Sequence, residues 1–185
     1  YFLFLVLFYW SLSLLYSFKL KKIIILDIIV LGVFYTLRII GGSFATELQM
    51  SIWLFTFSIF FFLSLASVKR LSELLNLKYR NIFKIEGRGY DINDLQILKL
   101  IAIFFGFFSL IIISFYINSP DIADLYSKPL SLLGMFLILG FWLTRIIFLS
   151  IKGKIDGDPI IYALKDITSI FCLTTILLLF TINFI

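Results

Sequence analysis

The chain has 185 residues, 62% of them hydrophobic, with 16 Lys or Arg against 11 Asp or Glu for a net charge of +5. A soluble domain is roughly half apolar, so this composition, with a mean hydropathy of +1.10, excludes a core coated by an aqueous surface. The absence of histidine excludes His metal ligands, His general bases and Ser-His-Asp triads, and the lone Cys172 excludes an internal disulfide and reads as a buried, inert thiol.

The apolar residues fall into runs of the length a helix needs to cross a hydrocarbon layer of about 30 Å. They lack the polarity alternation of membrane β-strands. Six spans are predicted, at 1–17, 24–41, 52–68, 96–117, 131–151 and 159–184, giving an all-α polytopic transmembrane bundle in a single domain, 1–185. The first span opens within a hydrophobic stretch at Tyr1, without the basic n-region and small-residue cleavage site of a signal peptide. The expectation is a chain whose N-terminal helices have been lost. Lys19, Lys21 and Lys22 follow the first span. Lys69, Arg70, Lys78, Arg80, Lys84 and Arg88 follow the third, and Lys152 and Lys154 the fifth. The alternate loops, 42–51 and 118–130, hold only Lys128 among basic residues, beside Glu47, Asp121 and Asp124. The positive-inside rule then puts the three basic loops in the cytoplasm. Orientation and anionic headgroups account for the net charge, so no nucleic-acid partner is expected. The 69–95 loop, with Gly87 and Gly89 as flexible points, reads as a cytoplasmic lid over a cavity.

Ionisable side chains inside spans are expensive and usually face a bundle interior. Asp27 lies one turn into the second span, and Arg38, eleven residues on, returns to nearly the same face, with Tyr35 between them. Asp27 also suits a helix N-terminus, and Arg38 also suits snorkelling or a structural interhelical pair. Lys69 and Glu73 form an i,i+4 pair around Arg70, and from charge alone these read as a membrane-edge anchor with a helix salt bridge. Arg145 lies about two turns from the end of the fifth span. Asp158-Pro159 has the pattern of a helix start, and Lys165 and Asp166 lie about two turns inside the helix it opens, where an exposed role is not expected. Pooled, Tyr16, Lys19, Asp27, Lys69, Arg70, Glu73, Arg145, Asp156, Asp158, Lys165 and Asp166 map to the cytoplasmic half of one bundle. Cations beside carboxylates suit a phosphorylated substrate held with a divalent metal, its lipid tail among the helices.

The ordered set Tyr16-Ser-Phe-Lys-Leu-Lys21, Leu26-Asp27, Tyr35-Thr-Leu-Arg38-Ile-Ile-Gly-Gly42, Lys69-Arg70-Leu-Ser-Glu73, Gly87-Arg88-Gly-Tyr90 and Asp156-Gly-Asp158-Pro159 through Tyr162 to Lys165-Asp166 resembles UbiA-family transferases. The subgroup most like it is the decaprenyl-phosphate phosphoribosyltransferases. The resemblance spans nearly the whole chain and implies the last six helices of a nine-helix fold, with an active site opening to the cytoplasm of a prokaryotic inner membrane. It implies Mg2+ as cofactor, with the main Asp-rich metal motif upstream of this chain and the fragment alone inactive. A second Asp-rich motif of prenyl-transferring members is replaced here by Lys69-Arg70-Leu-Ser-Glu73. That departure favours transfer of 5-phosphoribose from phosphoribosyl diphosphate to a polyprenyl phosphate. A conventional prenyltransferase, moving a prenyl group from its diphosphate to an aromatic or other acceptor, is the alternative, and a membrane transporter subunit a second one. The expected catalytic residues are Lys69, Arg70 and Glu73. Tyr16, Lys19, Asp27, Tyr35, Arg38, Arg145 and Lys165 are expected to bind substrate, and Asp156, Asp158 and Asp166 metal. Self-association as a homo-oligomer is left open.

Overall fold

The structure is a computed structural model, which describes residues 2–46, 51–79, 87–119 and 129–182. Tyr1, Glu47, Arg80, Lys84, Glu86, Asp121, Asp124 and Lys128, and with them the centre of the expected lid and most of both weakly charged loops, lie outside the described residues. The described elements are helices: α1 (Phe2–Phe18), α2 (Leu26–Thr46), α3 (Ile52–Tyr79), α4 (Leu95–Ile117), α5 (Pro129–Ile151), α6 (Pro159–Lys165) and α7 (Ile167–Ile182). Short 3-10 turns at Leu20–Lys22 and Ile92–Asp94 introduce α2 and α4.

Four helices, α2 to α5, are long and apolar enough to cross a membrane, and α6 with α7 makes a fifth if the bent pair is one span. The 17 residues of α1 reach only about 25 Å. The membrane character expected from composition is therefore present, with four to five candidate crossings rather than a settled six. Exposed Phe, Leu and Ile side chains cover α1, α4 and α7, a distribution that suits lipid contact rather than water.

The core follows α3. Ala66, Leu71 and Leu74 pack with Ile28, Tyr90 and Leu98 in one buried cluster, and Leu65 and Val68 pack with Ala102, Leu143, Ile146 and Ile155 in another. Small residues let neighbouring helices approach, as is usual where lipid gives no hydrophobic drive between helices. The Ser64 hydroxyl donates to the Ala102 carbonyl at 2.8 Å, and Ser72 and Ser150 share a hydrogen bond of 3.0 Å. A Cβ on Gly106 would lie 3.0 Å from Ile147 and 3.1 Å from Ser64.

Two expectations change. Residues 69–79 are not loop: they continue α3, whose 28 residues run about 42 Å. The charges there end the apolar run without ending the helix, because Lys, Arg, Glu and Leu are all good helix formers. The final span is broken as well, with α6 meeting α7 at 85°. Asp158 caps α6 by accepting from Ile160 N–H at 2.9 Å, with Pro159 at the first helical position. Eight residues later Asp166 starts a new helix in the same manner, accepting from both Ser169 N–H and Ser169 Oγ at 2.8 Å.

Candidate functional site

The turns after α1, the end of α3, the segment 87–94 and the 152–158 connection all gather at one end of the bundle, the basic end. Three sets of ion pairs sit there. The deepest joins α1, α2 and α3. Asp27, in the first turn of α2, and Arg70 are both fully buried. Arg70 grips Asp27 through Nε and through Nη2, the latter at 3.3 Å. Its Nη1 reaches Glu73 at 2.5 Å, and Nη2 also donates to the Tyr16 hydroxyl at 3.1 Å. Tyr16 in turn donates to Asp27 at 2.7 Å. Asp27 is thus not simply a residue at a helix start; it is the counter-ion that permits a buried arginine.

Arg88, absent from the residues expected to form the site, completes this network. Its Nη1 lies 3.0 Å and 3.3 Å from the two Asp27 oxygens and 3.3 Å from the Tyr16 hydroxyl, while its Nε lies 3.6 Å from Glu73. The segment that carries it is docked, not hinged. Tyr90 is 1% exposed, and its hydroxyl accepts from Ile25 N–H at 2.8 Å. Burial pushes the Tyr90 phenol up to about 12, so it stays protonated in any physiological buffer. Ile25 holds φ at +69°, a strained region for a β-branched side chain, and the Tyr90 contact fixes the amide there. Gly89 makes the approach possible, since a Cβ at that position would strike the Lys22 carbonyl oxygen.

The second set ties α3 to the start of α6. Lys69 Nζ contacts Asp158 at 2.7 Å, with both side chains partly exposed. Burial works against the charged form of Asp158, but the Lys69 ammonium and the Ile160 amide outweigh it and hold the carboxyl below its usual range. Asn76 donates to the exposed Asp156 at 2.8 Å. In the third set Arg145 forms a two-pronged pair with Asp166, at 2.7 Å and 3.0 Å.

Asp156, Asp158 and Asp166 therefore do not converge on a common point. Each is bound to a different partner, and no group of three acidic or thiol ligands able to hold a metal occurs among the described residues. Lys165 is exposed rather than enclosed, because the break places it at the end of the short α6, and Lys19 is exposed as well. Arg38 stands about 18 Å along α2 from Leu26, near mid-depth. Its partners are aromatic: Nη2 donates to Tyr9 Oη at 3.1 Å, and the guanidinium lies 5.3 Å from the Tyr35 ring centre. Tyr35 stacks on Phe62 at 5.1 Å.

Phe62 also lines an apolar cavity of about 320 Å3 among α3, α5, α6 and α7, with Phe61, Trp142, Ile160, Cys172 and Ser169 on its walls. Ile160 follows Asp158 by two residues, and Ser169 bonds Asp166, so the polar ends of two ion pairs border an oily slot.

No protein-family model matches the chain. It is similar to the uncharacterized protein y4nM of Sinorhizobium fredii, 38% identical over 164 residues, which is 88% of this chain and 32% of that protein. It is also similar to the nodulation protein NoeC of Azorhizobium caulinodans, 29% identical over 165 residues, 89% of this chain and 54% of the relative. The likeness thus covers most of this chain, which spans about a third of one relative's length and about half of the other's.

Proposed function

We propose that the chain is a portion of the membrane-embedded body of a UbiA-type transferase that moves 5-phosphoribose from phosphoribosyl diphosphate to a polyprenyl phosphate. The reaction would run at the basic end, on the cytoplasmic side of a prokaryotic inner membrane. The observation that carries this reading is the Lys69–Asp158 pair, partly open to water, one helical turn from Leu65 and two residues from Ile160, which line an apolar slot large enough for part of a lipid chain. The lipid phosphate is already ionised, so its oxygen attacks ribose C1 without a general base. The new C1–O bond forms as the bond to diphosphate breaks, and diphosphate leaves with the electron pair. Lys69 offsets charge on the phosphoryl oxygens by exchanging Asp158 for them. Arg70 and Glu73 position it: Arg70, paired with Glu73 on its own helix, locks this turn of α3 against α2 through Asp27. The Mg2+ expected from the resemblance finds no ligand cluster among the described residues, so these roles rest on side chains alone.

The same slot suits a prenyl diphosphate, the donor of a conventional prenyltransferase. Transport draws some support from the broken helix and from Arg38 at mid-depth, both features of transporters. The break, however, leaves α7 with 16 residues, about 24 Å, so it lies at the basic edge and not at the midplane.

The test is a transfer assay on membranes carrying the full-length protein, with Mg2+ and each donor supplied in turn. Label from phosphoribosyl diphosphate is expected in the lipid fraction only when polyprenyl phosphate is present. Lys69→Ala is expected to lower that rate about 100-fold at unchanged membrane yield, since a partly exposed ion pair adds little stability. Undiminished transfer by this variant would remove Lys69 from the mechanism, and incorporation from prenyl diphosphate alone would favour the conventional reaction.

A further inference from the structure

Charge at the buried network is balanced: Asp27 and Glu73 face Arg70 and Arg88, two against two. The two guanidiniums are not equivalent. Arg70 is 1% exposed and spends all three nitrogens on Asp27, Glu73 and Tyr16. Arg88 is 21% exposed, and its hydrogen bonds to described residues all run through Nη1. Its Nη2 has no hydrogen-bond acceptor among the described residues, and the side chain as a whole is partly open to solvent. The docked Gly89 and Tyr90 hold the arginine over the carboxylates by way of Lys22 and Ile25. The turn they dock on carries Lys19, Lys21 and Lys22, while Asp91 and Asp94 follow Arg88 on its own segment.

We propose that Arg88 is the anion-receiving group of the basic end: its partly exposed guanidinium takes a phosphoryl group, while Asp27 and Glu73 remain with Arg70. A guanidinium fork matches two phosphate oxygens at once, as an ammonium does not. Withdrawing Arg88 toward a ligand leaves no carboxylate bare, because Arg70 and Tyr16 still satisfy Asp27. The phosphoryl group comes either from a free diphosphate or from a lipid headgroup, and both sources can reach a group at the membrane edge. The inference rests on the transferase reading only for which phosphorylated compound is physiological; phosphoryl binding itself stands without turnover.

Binding of inorganic diphosphate, and separately of a long-chain polyprenyl phosphate in detergent micelles, is measured on the purified full-length protein without a second substrate. Arg88→Ala is expected to weaken at least one probe about 10- to 100-fold, and Arg88→Lys to recover only part of it. Loss confined to diphosphate assigns the free anion, and loss confined to the lipid assigns the headgroup. Unchanged affinity for both probes overturns the proposal. Protection of wild-type Arg88 from phenylglyoxal by the same probes, read by mass spectrometry, gives a second measurement that needs no folded variant; equal labelling with and without both probes also overturns it. Binding that depends on Arg88 in a protein inert for transfer would uphold this inference and sink the transferase reading.

Discussion

Replacing Arg70 with alanine is expected to cost the protein about 3–5 kcal/mol, the usual penalty for stripping one partner from a buried ion pair. Asp27 is fully buried, and without Arg70 its carboxylate keeps only Tyr16 and the more distant Arg88. The variant should be recovered from membranes in low yield and unfold early in detergent. Removing both charges together, with Asp27→Leu and Arg70→Met, is expected to restore most of the stability, because apolar residues of similar volume fill such sites at little or no cost. Transfer activity should not return with it if the pair positions Lys69. Thermal unfolding of the three proteins in one detergent decides the matter. A single Arg70→Ala variant as stable as the parent would mean that Asp27 and Arg70 are not buried against each other.

The second large effect is expected at Gly89. A methyl group there would press on the Lys22 carbonyl oxygen, which is backbone and cannot rotate aside. Gly89→Ala should therefore lift the segment off the turn, freeing Tyr90 from its burial and the Ile25 amide from its acceptor, for a loss of about 1–3 kcal/mol. Limited proteolysis is the direct readout, with new cleavage expected between α3 and α4 in the variant. Identical digestion patterns and melting curves would show that 87–90 does not dock on the α1–α2 turn.

Much of the helical layout was readable in advance. The predicted spans 96–117 and 131–151 match α4 and α5 within two residues, because continuous apolar runs bounded by polar residues leave few alternatives. Where charge enters a helix the reading stops early, as at 69–79, since hydropathy marks the edge of lipid rather than the end of a helix. The break at Asp166 did leave a local trace: an acidic residue followed three positions on by Ser169 is a helix-start pattern, hidden inside an otherwise apolar stretch. Pairings were beyond reach. Asp27 lies 43 residues from Arg70 and 61 from Arg88, and no periodicity links an irregular segment to a helix start. Hence Lys69, Arg70 and Asp27 were singled out for their type and place, while Arg88 was not. Neither the separation of the three aspartates nor the outward turn of Lys165 had a counterpart in spacing, for both depend on the angle between α6 and α7.

The length of α3 has a bearing on the lipid around it. About 20 residues suffice to cross the hydrocarbon layer, so with Ile52 at one boundary Lys69 and Arg70 fall near the other. A thicker bilayer would pull these cations into oil or force the bundle to tilt, and a thinner one would flood them with water. The hydration of these cations should thereby follow membrane thickness, and reconstitution into short- and long-chain phosphatidylcholines offers a dial for it that leaves every side chain in place.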